Sequence, residues 1–170
     1  LNIIGLDPGV TGAIARLYEP VGGGLVAQVW DTPTGKDGKR TIFLPAEMRA
    51  LLADAVGDKV TTVFIESVHS MPKQGVSSSF GFGVGYGMWI GLVAGLGLPY
   101  ELVTPQRWQS VMMAGLPKEP DKKKRKDASR ARAQQLFPSL VSQLNRVKDD
   151  GRAEALLIAS YGRRLLGGGV

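Results

Sequence analysis

Two short apolar runs, Ile3-Ile4-Gly5-Leu6 and Val63-Phe64-Ile65, each end on a carboxylate, Asp7 and Glu66. Runs of this length bounded by turn residues read as buried strands. An anion buried at a strand end is costly unless a cation compensates it. A third acidic group, Asp149, Asp150 and Glu154, opens an apolar helix near the C-terminus. If the three segments converge, they form a pocket of negative charge, and a divalent ion is the simplest remedy. The pattern points to metal-dependent chemistry on phosphates.

The remaining elements give the sheet its plan. Residues 2–7, 12–18 and 25–31 read as three antiparallel strands, joined by the Pro8-Gly9 turn and by Gly22-Gly23-Gly24. A polar stretch, 32–41, reads as a loop. A helix over 45–56 follows, with Met48, Leu51, Leu52 and Ala55 on one face. Then come a strand at 60–66, a glycine-rich helix, a strand at 100–103, a short helix at 105–112, a basic helix ending near 137 and a last helix over 149–166. This is a single α/β domain spanning 1–170. Its five-stranded mixed sheet, three antiparallel strands then two parallel, is flanked by helices.

Residues 76–100 carry no charge and could span a bilayer by length, but three serines, seven glycines and Pro99 dilute the stretch. It reads as a buried helix, and no membrane is expected. Within it Gly83, Gly87, Gly91 and Gly95 recur every fourth residue and share one face. That face either packs tightly on the protein's own sheet or meets a second copy of the chain. Phe80, Phe82 and Tyr86 are core residues first and base-stacking candidates second, and Trp89 and Trp108 are assigned to the core.

Net charge is +6, and its location matters more than its size. Between residues 118 and 132 eight basic side chains face three acidic ones, which places +5 of the total in one short segment. Such a concentration favours a polyanion. Lys122, Lys123, Lys124, Arg125, Lys126 and Arg130 are the candidate phosphate contacts. Lys73 and Gln74 follow Glu66 closely enough to reach bases near a reacting phosphate, and glutamine can read a base edge. With no cysteine in the chain, thiolate metal sites are excluded.

Asp150 and Glu154 are four residues apart and so share a helix face, while Asp149 lies well round the cylinder and suits a cap. Asp7, Glu66, Asp150 and Glu154 therefore form the catalytic and metal-ligand set. Oxygen donors suit Mg²⁺, with Mn²⁺ as substitute. Two such ions roughly 4 Å apart activate water and stabilise the departing oxygen of a phosphodiester. His69 is the only histidine and could face the substrate phosphate.

Gly5-Leu6-Asp7-Pro8-Gly9-Val10-Thr11-Gly12 followed by Ile65-Glu66 resembles the RuvC family of Holliday-junction resolvases, of the ribonuclease-H-like superfamily. Three further segments are similar to the plant and algal chloroplast members of that family. They are Phe80-Gly81-Phe82-Gly83-Val84-Gly85-Tyr86-Gly87-Met88-Trp89-Ile90-Gly91, Leu136-Phe137-Pro138-Ser139, and Asp150-Gly151-Arg152-Ala153-Glu154-Ala155-Leu156-Leu157-Ile158-Ala159. The resemblance implies a ribonuclease-H-like fold and a homodimer that binds a four-way DNA junction. It implies paired symmetric nicks made with two Mg²⁺ ions per site. It also implies a location in the chloroplast nucleoid, with any transit peptide absent from this chain. Asp7, Glu66 and Glu154 fall on the family's catalytic acids. Asp150 departs from the pattern, since chloroplast members often carry histidine there and bacterial members space the last two acids one residue closer. His69 falls near a bacterial aromatic that stacks at the junction centre, which makes it a junction-contact candidate.

Three other classes compete. Sugar kinases and actin-like ATPases share the Asp–Gly turn but need a second lobe and an adenosine pocket, for which 170 residues are too few, so no nucleotide cofactor is expected. A ribonuclease H acting on RNA–DNA hybrids would share the acids. A non-catalytic junction-binding protein would share the basic segment.

Overall fold

The computed structural model describes residues 2–67, 75–117 and 119–167. Five strands form the main sheet: β1 (Asn2–Asp7), β2 (Ala13–Tyr18), β3 (Val26–Asp31), β6 (Thr61–Glu66) and β7 (Tyr100–Val103). Their order is β3-β2-β1-β6-β7. β1 runs antiparallel to β2 and parallel to β6, and β6 is parallel to β7. The mixed sheet matches the expected plan of three antiparallel strands followed by two parallel ones.

Between β3 and β6 lie a small hairpin, β4 (Thr34–Asp37) with β5 (Arg40–Phe43), and helix α1 (Pro45–Val56). The hairpin corrects the loop reading of 32–41. Its register pairs Asp37 with Arg40 across a two-residue turn, Gly38-Lys39, and Gly38 takes φ +57°. Glycine at the first position of a two-residue turn is a hairpin signal, because glycine adopts positive φ without a steric cost. α2 (Val76–Gly95), α3 (Pro105–Met112), α4 (Lys122–Leu136) and α5 (Asp150–Leu165) follow in order. Asp121 caps α4 by accepting from the Lys124 N–H at 2.9 Å, and Thr104 caps α3.

Strand alternation splits the core into two layers and aims the carboxylates. Ile3 and Phe64 face a core built with α3, α4 and α5, whereas Ile4, Leu6, Val63 and Ile65 face one built with α1 and α2. Asp7 stays in step with Ile3 and Gly5, and Glu66 with Phe64, so both acids point to the α5 side. Gly5 lets α5 lie directly on β1: a methyl group there would sit 2.3 Å from the Ala155 carbonyl oxygen and 2.5 Å from the Ala159 nitrogen. Further along, Gly162 makes room for the Phe64 ring. Asn2, fully buried, ties the opposite edge together by donating to the carbonyls of Ala55 and Val56 and to Thr61 Oγ1.

Candidate active site

β1 and β6 are parallel neighbours in a register that sets Leu6 beside Ile65, so Asp7 and Glu66 leave the sheet at the same edge. α5 enters over that edge. Gly151, its second residue, lies so close that a methyl group there would come within 3.2 Å of Asp7 Oδ2 and 2.2 Å of the Thr11 carbonyl oxygen. Asp150 and Glu154 are thereby brought to the two strand-end carboxylates. Glu154 lies close enough to feel the charges of Asp7, Glu66 and Asp150, and Glu66 and Glu154 line one cleft.

Each acid has its own support. The Gly9 N–H donates to Asp7 Oδ1 at 3.2 Å. The Trp108 indole N–H donates to Glu66 Oε1 at 2.9 Å. Trp108 is buried as expected, but its contact with Glu66 is a functional link that reading the sequence missed. Lys126 reaches in from α4 and forms an ion pair with Asp150. Asp149 belongs elsewhere: it accepts from the Arg146 backbone and guanidinium at 2.7–3.1 Å, closing the 3-10 turn Val147–Asp149 ahead of α5, and makes no side-chain cap to α5 itself.

The electrostatics are those of a crowded anion site. Burial raises Asp7 to about 6, against the pull of the Gly9 N–H and Lys126. Burial and then the Asp7 charge raise Glu66 to about 7, opposed by the Trp108 hydrogen bond. Burial, Asp7 and Glu66 raise Glu154 to about 8. Burial disfavours the Lys126 ammonium, but Asp150 outweighs it and holds that group above its ordinary value. Three acids thus resist ionising together while, among the described residues, the Lys126 ammonium faces them, which is a deficit a divalent cation removes. The donors are all oxygen, which fits Mg²⁺ or Mn²⁺. Among the described residues they do not close on one point as a finished ligand cage. The fit is therefore one of donor chemistry and charge.

A cleft of about 740 Å³ opens from Glu66 and Glu154 and runs between α3 and α4, past Gln109, Met113, Lys122 and Arg125. The predicted phosphate contacts on α4 divide into two sets. Lys122, Lys123 and Lys124 are exposed. Arg125 is exposed but donates to the Pro120 carbonyl, and Arg130 is largely covered and engages Asp127 and the Val147 carbonyl. Lys126 faces the carboxylates. His69, Lys73 and Gln74 lie outside the described residues. Among the described residues no helix is long and apolar enough to cross a membrane.

A ribonuclease-H-like α/β domain with acids gathered at the carboxyl edge of its two central parallel strands is the class this fold and site define. Comparison with known proteins narrows it. No protein-family model matches the chain. Among curated proteins, Holliday junction resolvase MOC1, chloroplastic, of Chlamydomonas reinhardtii is 29% identical over 155 residues, covering 78% of this chain. The match takes in only 17% of that protein's length. Among solved structures, Thermus thermophilus RuvC superposes with a TM-score of 0.61 at 13% identity, over 97% of this chain and 96% of that one. The same protein in complex with a Holliday junction substrate gives 0.60 at 12%, with the same coverage. The chain has the fold of RuvC and is similar in sequence to MOC1, the relatives its motifs resemble.

Proposed function

We propose that this protein is a metal-dependent endonuclease that resolves four-way DNA junctions by paired, symmetric nicks. The observation that carries the reading is the convergence of Asp7, Glu66 and Glu154, from three separate segments, where burial raises the proton affinity of all three and the Asp7 charge raises that of both glutamates further. Similarity to MOC1 and the RuvC fold support the substrate class.

Bound at this cleft, two Mg²⁺ ions (or Mn²⁺) supply Lewis-acid polarisation of the phosphodiester and an activated water. The chain's own residues do the rest. The Gly9 N–H and the Trp108 indole fix the Asp7 and Glu66 carboxylates, so their orientation costs little at the moment of reaction. Asp150 and Glu154, one helical turn apart on α5, wall the other side. Lys122, Lys123 and Lys124 hold phosphates beside the cleft and add affinity that falls with salt. His69 follows Glu66 in the chain and is assigned to the junction centre, and Lys73 and Gln74 to bases near the scissile bond.

The partner in this scheme is a second copy of the chain, docked through α2. A methyl group added at Gly83, Gly87, Gly91 or Gly95 would meet nothing within 4 Å among the described residues, so packing on the described sheet does not account for that face. A two-fold dimer presents two identical clefts to strands of like polarity. A chloroplast nucleoid location rests on the MOC1 likeness alone, and localisation of the full-length protein tests it.

The deciding assay incubates the protein with synthetic four-way, three-way and linear duplexes, with Mg²⁺ or with a chelator. Paired nicks on the four-way junction alone, lost on chelation, are expected. Asp7→Asn should keep junction binding and lose nicking by at least about a thousandfold, on the scale of a lost charge-stabilising group. Cutting by Asp7→Asn would remove this residue from the mechanism. Preferential cutting of RNA–DNA hybrids would favour the ribonuclease H reading, and binding without cutting the architectural one.

A further inference from the structure

The β4–β5 hairpin takes no part in the carboxylate set, and its construction separates a rigid base from a charged tip. A two-stranded ribbon is at best marginally stable alone. This one is clamped at its base. Phe43 is buried and occupies the space beside Gly85 of α2, where a methyl group would lie 2.2 Å from its ring and 2.7 Å from the Pro8 carbonyl oxygen. The Leu44 N–H donates to the Pro33 carbonyl at 3.1 Å, closing the base. Beyond it, every residue from 36 to 42 is exposed.

Three of those seven are cations, Lys36, Lys39 and Arg40, against one acid, Asp37. None of the three lies within ion-pair distance of a carboxylate among the described residues. Lys36 Nζ instead donates to Thr41 Oγ1 across the ribbon at 2.7 Å, which keeps its charge on the surface. Exposed backbone and unpaired cations at a clamped tip do nothing for stability that a shorter loop would not do better.

The hairpin's placement gives these charges a use. Asp31, at the end of β3, pairs with Ala13, which pairs with Asp7, so the ribbon leaves the sheet at the same edge as the carboxylates. Phe43 belongs to the core on the α2 side, whereas Ala133 of α4 belongs to the core on the α5 side. The two basic elements are therefore anchored on opposite faces of the sheet, and the acids point to the α4 face. One linear duplex lying along α4 is served by that element. A branched nucleic acid carries phosphates to both.

We propose that the β4–β5 hairpin is a second nucleic-acid contact, gripping the sugar–phosphate backbone of a duplex arm other than the one α4 holds. The inference rests on the junction-resolving reading and goes beyond it by assigning an arm-discriminating surface. Such contacts position the substrate and read no sequence.

Binding to a four-way junction and to a linear duplex, both in chelator and over a range of salt, tests it. The probe is the triple variant Lys36→Gln/Lys39→Gln/Arg40→Gln. These side chains lie beyond the anchor, so melting temperature should be unchanged. The slope of log K against log salt for the four-way junction should fall by about 2 to 3 per protomer bound, and affinity at roughly 0.1 M salt by at least about tenfold. Linear duplex binding should move by less than about twofold, and the double variant Lys36→Arg/Lys39→Arg, with Arg40 retained, should keep junction affinity. An unchanged junction slope, or an equal loss on linear duplex, overturns the proposal. Because the chain has no cysteine, Asp37→Cys also accepts a single tethered iron chelate. Its hydroxyl radicals should cut one junction arm per protomer, and no cutting anywhere on the junction overturns the contact. A wild-type protein that binds the four-way junction no better than linear duplex defeats the junction reading itself. A junction-selective wild type with an unaffected variant defeats only the hairpin.

Discussion

α2 and α5 are the two longest helices of the domain, and both carry glycine at intervals along one side, yet they use it in opposite ways. On α5 the glycines are filled in. Gly151 is closed off by the Thr11 carbonyl and Asp7, and Gly162 by Phe64, while Gly5 of β1 answers from below with Ala155 and Ala159 against it. On α2 only Gly85 is used this way. Gly83, Gly87, Gly91 and Gly95 face open space. α5 is buried over most of its circumference, and α2 buries Gly85, Trp89 and Val93 at four-residue spacing, leaving an uncharged outer face exposed. The glycines of α5 bring a helix close to a strand and so assemble the acidic cleft. Those of α2 relieve no crowding within the chain, although each costs roughly 1 kcal/mol of helix propensity. What they permit is approach from outside.

The largest effect should come from filling the tight side. Gly5→Ala places a methyl group 2.3 Å from a backbone oxygen and 2.5 Å from a backbone nitrogen, atoms that no rotamer change can move. α5 must lift off β1, at a cost of about 3 kcal/mol or more. Chemical denaturation should register this as a lower midpoint, and junction nicking should fall even below the transition, because the lift separates Glu154 from Asp7. A midpoint within about 0.5 kcal/mol of wild type would break the contrast.

Next in size is the linkage between the cleft and pH. Asp7, Glu66 and Glu154 hold protons up to about 6, 7 and 8 in the folded protein, against ordinary values near 4. The folded state therefore binds more protons than the unfolded one between about pH 4 and 8, and stability must fall as pH rises through that window. In chelator, the melting temperature should be higher near pH 5 than near pH 8. Added Mg²⁺ competes with those protons, so its stabilising shift should be larger at pH 8 than at pH 6. Calorimetry at the two pH values checks both signs. Glu66→Gln and Glu154→Gln should each flatten the profile. A metal-free melting temperature that rises with pH would refute the crowded-anion description.

How much of this was legible in the sequence follows from the range of the interaction involved. Asp7 and Glu66 announced themselves because each ends a short apolar run, and strand alternation with Gly5 and Phe64 then fixes which face they share. The spacing of Asp150 and Glu154 is a local helical fact. The β4–β5 hairpin was hidden because its strands are polar and carry no apolar alternation, although Gly38 held the turn signal. Sequence reading makes Trp108 a core residue and Lys126 a phosphate contact. Their contacts with Glu66 and Asp150 span 42 and 24 residues of sequence and depend on how α3 and α4 dock. Spacing says nothing about such pairings. The glycine face of α2 was legible as a face, but its two readings could be separated only by the space in front of it.

The smallest effect is also the one that separates the two helices most cleanly, because its sign reverses with assembly state. Gly87→Ala and Gly91→Ala add methyl groups where nothing stands within 4 Å, at positions with ordinary helical backbone. Each should stabilise the isolated chain by about 0.5 to 1 kcal/mol through lower unfolded-state entropy and better helix propensity. If α2 meets α2 of a second copy, the same methyl groups hold the two backbones apart, and the dimer should weaken. Light scattering across a dilution series, paired with melting at the dilute end, reads both quantities on one sample. Higher melting temperature with weaker association is the expected pair. Higher melting temperature with unchanged association would leave α2 free of the interface, and a lower one in dilute solution would mean that its outer glycines are packed after all.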